Sequence, residues 1–123
     1  MAQQQITRED AVKSMKDMVT NLTASIEAME RALSVAVIDD QPYVLVLDHV
    51  SSGSLSAMKR LGNDSWNMSA QGMDAATFSR ANAMRIAQAH GYRAMLKRDF
   101  WAYQIASQKA TIEWANEMIG QAA

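Results

Sequence analysis

The stretch VAVIDDQPYVLVL, residues 35–47, decides whether this chain is all-helical or mixed. Two runs rich in β-branched residues flank the polar turn Asp39-Asp40-Gln41-Pro42, which is the pattern of a small β-hairpin. The helical alternative takes Asp39 or Asp40 as N-cap, with Pro42 in the first turn where its missing N–H does no harm. An isolated two-stranded hairpin is marginal in water, and the flanking segments both read as helix. The balance therefore favours an irregular helical middle over residues 42–62, with a hairpin at 35–47 as the alternative.

Upstream, Thr7 followed by Asp10 resembles a capping box, and Glu9 and Asp10 suit the positive end of a helix dipole. Residues 1–6 read as a frayed terminus. From there Val12, Met15, Val19, Leu22, Ile26, Met29 and Leu33 recur at alternating spacings of three and four, a coiled-coil-like seam on a helix spanning about 7–37. Its other faces are polar and charged.

Downstream, Ser51-Ser52-Gly53-Ser54 weakens any helix, and Lys59-Arg60-Leu61-Gly62 reads as a helix end with basic residues before a glycine. Residues 62–73 then read as a polar loop holding Trp66, and Asp74 caps a helix over 74–119 that contains no proline and one internal glycine, Gly91. Unbroken, such a helix would be roughly 70 Å long, against about 35 Å for a compact chain of this size. It must bend or be covered by other chains. Gly91 is the candidate hinge, although Ala83, Ala87, Gly91 and Ala94 equally form a small-residue row that admits close packing. At 100° per residue the helix carries two apolar stripes, one through Phe100 and Trp114 and one through Trp101, Ile105, Ile112 and Ile119.

The fold expected from these signals is all-α. A single domain of 123 residues pairs the helices 7–37 and 74–119 antiparallel, as in a helical bundle. Apolar residues make up 49% of the chain and aromatics only 7%, with ten methionines, so the expected core is built of small and adaptable side chains. The cysteine count of zero excludes disulfides, thiolate nucleophiles and sulfur-ligated metal. No basic flank with an apolar run opens the chain and no long apolar segment follows, so the reading is a cytoplasmic protein with no membrane contact.

Catalytic signals are sparse. Asp48, His49 and the serines 51, 52 and 54 supply the residue types of a hydrolytic triad, but nearness in sequence is not triad geometry, and no Gly-x-Ser-x-Gly elbow is present. There is no paired-histidine metal motif and no glycine-rich phosphate loop, so neither cofactor nor metal is expected and the chain reads as non-enzymatic. Net charge is −1, yet residues 75–98 carry Arg80, Arg85, Arg93, Lys97 and Arg98 with no acid, leaving the rest at about −6. Those cations either face the acidic side chains of the first helix or solvate an exposed surface.

Two function classes follow. The first is an assembly or protein-interaction protein, a homo-oligomer that also binds a further protein. Its candidate oligomer interface is Phe100, Ile105, Ile112, Trp114 and Ile119. The second is a nucleotide- or nucleic-acid-binding module in the basic stretch 80–98, where Arg93, Lys97 and Arg98 would take phosphate and Tyr92 and Trp101 would stack on a base.

Overall fold

The computed structural model describes residues 7–35, 40–49, 54–62 and 65–122. Its elements, in order, are α1 (Arg8–Ser34), β1 (Tyr43–His49), β2 (Ser54–Arg60), β3 (Trp66–Ala70), α2 (Arg80–His90), β4 (Arg93–Leu96) and α3 (Lys97–Ala122). The strands form one antiparallel sheet in the order β3-β2-β1-β4. This overturns the all-α and helical-bundle readings.

The error begins at Tyr43-Val44-Leu45-Val46-Leu47. A run apolar at every position has neither helical nor alternating period, and it suits a strand covered on both faces. In β1, Val44 and Val46 face one layer, where they pack with Leu55, Ala57, Ala70 and Phe100. Leu45 faces the other, with Met58, Phe78 and Ala83. Within the span 42–62, residues 43–49 and 54–60 are thus strand rather than helix, and residues 50–53 lie outside the described residues. The hairpin that forms is also not the one at 35–47. Tyr43–Val46 pairs with Arg93–Leu96 on one side, and Val46–His49 pairs with Ser54–Ala57 on the other. Residues 36–39 lie outside the described residues, as do 1–6. Within the expected loop 62–73, residues 66–70 are the edge strand β3.

The span 74–119 is likewise broken in three. Ser79 caps α2 by accepting the Asn82 N–H, and Gly91 ends it in the left-handed region at φ 72°, its N–H donating to the Ala87 carbonyl. Four residues then complete the sheet before α3 begins, and the Lys97 N–H donates to the Pro42 carbonyl at 2.8 Å. The unpaired edge of β1 supplies the tertiary hydrogen bonds that a continuous helix would forgo. A Cβ at Gly91 would meet nothing within 4 Å. Gly91→Ala should therefore cost about 1–2 kcal/mol through backbone conformation alone, read as a lowered thermal midpoint with an unchanged far-UV spectrum.

The result is a layered α/β arrangement. Helix α2 packs on one face of the sheet, with Ala83, Ile86 and Ala87 against the layer of Leu45 and Met58. On the other face lies the first half of α3, anchored by Phe100, which is fully buried, and by two polar ties. Gln104 Nε2 donates to the Leu55 carbonyl at 2.6 Å and Gln108 Nε2 to the Gln71 carbonyl at 2.7 Å. Helix α1 packs antiparallel on α3, with Ile26 and Met29 against Ile105 and a Lys109–Glu30 ion pair at 3.7 Å. Thr7 caps α1 by accepting the Asp10 N–H. Among the described residues no helix is long and apolar enough to cross a membrane.

Candidate functional site

Among the described residues, two surfaces stand out as having the chemistry to bind a partner or ligand. The first is a helical arm. Past Gln108 the buried positions of α3 reduce to Ala115, and the only buried residues of α1 are Ile26 and Met29 near its far end. The outer seam residues Val12, Met15, Val19 and Leu22 therefore remain half-open. The arm, formed by the start of α1 and the end of α3, is about 20 Å long. Beside the seam, Trp114 is 53% exposed and Met118 37%. Between the helix ends lies an open furrow of about 490 Å³ with Val12, Ile119 and Ala122 as its apolar wall. Arg8, Lys13 and Lys16 rim it, with Glu9 the one acid.

The expected oligomer interface divides accordingly. Phe100 is fully buried and Ile105 is 9% exposed within the protomer, so neither is open to a partner. The sheet covers Phe100 and α1 covers Ile105. Ile112 packs beside Ile105, while Ile119 borders the furrow and Trp114 faces solvent. The greasy tail is in large part covered by its own chain.

The expected phosphate site also fails to assemble as one surface. Tyr92 packs on the α2 side of the sheet and Trp101 on the α3 side. The Trp101 indole N–H is buried with no hydrogen-bond partner among the described residues, and Lys97 Nζ lies 5.8 Å from the ring centroid. Arg98 sits 3.9 Å from Asp99 on an exposed surface. Arg93 lies on β4 opposite Val46. The strand between the two aromatics puts them on different faces of the sheet, so they do not bracket one cationic surface.

A different cationic set does converge. On the α2 side, where β2 turns into β3, a groove of about 270 Å³ is bounded by Arg60, Trp66, Arg85 and His90, with Phe78 and Met58 among its lining. Arg60 and Trp66 are direct cross-strand partners. The Arg60 guanidinium lies 5.4 Å from the Phe78 ring centroid. Trp66 meets His90 edge-on at 5.5 Å, and His90 stacks on Tyr92 at 5.8 Å with an 18° interplanar angle. The three rings thus form a continuous aromatic wall beside two guanidinium groups. Among the described residues no carboxylate lines the groove, and the nearby Asp74 is held by Lys59 at 3.6 Å.

Electrostatically this groove suits an anion despite its place near the end of α2. A helix C-terminus disfavours negative charge by about 0.3–1 kcal/mol, whereas each hydrogen bond to a charged group contributes about 1.5–3 kcal/mol. Two guanidinium groups outweigh the dipole. Arg85 and His90 belong to the basic stretch of the sequence, and Trp66 reads there as a loop anchor or an exposed contact for a ligand or partner, but the pairing of Arg60 with Trp66 is not legible in that reading. Their signal was the turn-forming segment 62–65 between them, which pairs 60 with 66 once a hairpin is drawn through it. Among the described residues no cluster of three or more potential metal ligands occurs.

Comparison with known proteins finds no matching family model, no matching curated protein and no matching solved structure. The class these observations define is a mixed α/β protein, a four-stranded antiparallel sheet between one crossing helix and an antiparallel helix pair.

Proposed function

We propose that this protein is a non-enzymatic assembly module that self-associates through its helical arm. The observation that carries this reading is the half-open seam from Val12 to Leu22 together with the exposed Trp114. A lone pair of helices with one shared stripe buries too little to hold its geometry well, and docking a second pair against it makes a four-helix arrangement with a closed core.

A second copy fits this face by charge. The furrow is rimmed by Arg8, Lys13 and Lys16, while Glu113 and Glu117 bracket Trp114 and precede Met118 on α3. Two copies related by a two-fold axis can each offer the acidic, aromatic side to the other's basic rim, because such an interface uses the same patch twice. A further protein partner would compete for the same surface. The proposed setting is the cytoplasm, where a cysteine-free chain needs no oxidising compartment.

Light scattering across a concentration series tests the reading. The expected mass is twice the 13.6 kDa of the chain, falling on dilution. A mass of 13.6 kDa at every concentration overturns self-association.

A further inference from the structure

We infer that the groove beside β2, β3 and α2 binds a phosphate-bearing nucleotide unit, its planar base stacked on Trp66 and its phosphate held by Arg60 and Arg85. The site is separate from the arm and does not depend on how the arm is used. Three observations combine. Trp66 is 41% exposed on an edge strand, so part of its ring is open to solvent. His90 and Tyr92 brace it from behind, which limits the rotamer freedom that stacking on a mobile ring would cost.

The cations are the second observation. Among the described residues Arg60 and Arg85 make no ion pair with a carboxylate, Asp74 beside Arg60 being paired with Lys59, and both line the same groove. Guanidinium groups present planar forks that match phosphate oxygens two at a time. The third is the pairing itself. Arg60 stands directly across from Trp66, so a cation and a stacking platform share one face of one hairpin. A base on an aromatic ring with an adjacent phosphate on arginine is the usual way a protein holds a nucleotide without reading its sequence. The ligand chemistry is the same for a free mononucleotide and for one unit of a single strand.

The test follows the three tryptophan indole N–H resonances of isotope-labelled protein, so that Trp101 and Trp114 serve as internal controls. Adenosine monophosphate should shift the Trp66 signal saturably and leave the other two in place. Adenosine and inorganic phosphate should each bind about tenfold more weakly, since each lacks one half of the contact. Arg85→Ala, at an exposed helix position, should weaken binding by about tenfold with an otherwise unchanged spectrum, and Arg60→Ala should act the same way. A fifteen-residue oligoadenylate distinguishes the sources. A Trp66 shift that needs Arg85 with the oligonucleotide alone assigns the unit to a single strand, and one with both probes assigns it to either. Absence of a Trp66 shift with both, equal binding of adenosine or of phosphate alone, or indifference to Arg85→Ala overturns the inference.

Discussion

Replacing Phe100 by alanine should lower the unfolding free energy by about 3–5 kcal/mol, a large share of the roughly 5–15 kcal/mol that holds a domain of this kind together. Phe100 is the largest fully buried side chain and it touches the strands that α3 covers, through Val44, Val46, Leu55 and Ala57. Its removal leaves a cavity between α3 and the sheet. Urea denaturation should show a lower midpoint with an unchanged slope, at every protein concentration. Concentration-independence is the discriminating part. Were Phe100 an interface residue, as the apolar stripe of a continuous tail suggests, the loss would appear in oligomer mass and leave the protomer's stability intact. Phe100→Leu, which restores most of the volume, should recover much of the difference.

Trp114→Asp should have the opposite profile. The side chain is 53% exposed in the protomer, so its replacement should change the unfolding free energy of the isolated chain by no more than about 0.5 kcal/mol. In the proposed assembly the same ring fills the partner's furrow, and a central aromatic contact is worth about 2 kcal/mol or more. A two-fold axis counts that contact twice, so the dissociation constant should rise about a thousandfold. Sedimentation equilibrium on the variant and on Met118→Asp measures this directly. Variants that keep the parent's association constant would place the interface elsewhere.

These two side chains also show where the amino-acid sequence is informative about this fold. The first helix is plain because its signals are local: a capping threonine, acids in the first turn, and seven seam residues in register. The sheet is obscure because its evidence is tertiary. Tyr43–Leu47 is apolar at every position, with Val44, Leu45 and Val46 buried on alternate faces, and periodicity is silent on such a run. β4 is four residues long and carries Arg93-Ala94-Met95-Leu96, whose strand state comes from the open edge of β1 rather than from its own propensity.

The small-residue row illustrates the same limit. Ala83, Ala87 and Ala94 do permit close approach, all within the cluster beneath α2, but what they approach is the sheet, and Gly91 ends the helix between them. The correct residues were visible in the wrong geometry. At the groove, two of the four bounding side chains lie in the charge-segregated stretch and two in a hairpin that was read as a helix end and a loop. Trp66 stands out in the sequence as a lone aromatic in a polar segment, but only the pairing of β2 with β3 sets it beside Arg60.

The strands lie between α1 and α3 in the chain although the two helices pack together, and this shapes how the molecule comes together. The two helices that pair are separated by the 62 residues 35–96, so their meeting closes a long loop whose chain entropy alone is roughly 3–4 kcal/mol. Strand pairing shortens that gap before the helices meet. During synthesis α1 leaves the ribosome before α3 and stays without its partner until α3 has been made, which sets a period of exposure to chaperones and to aggregation.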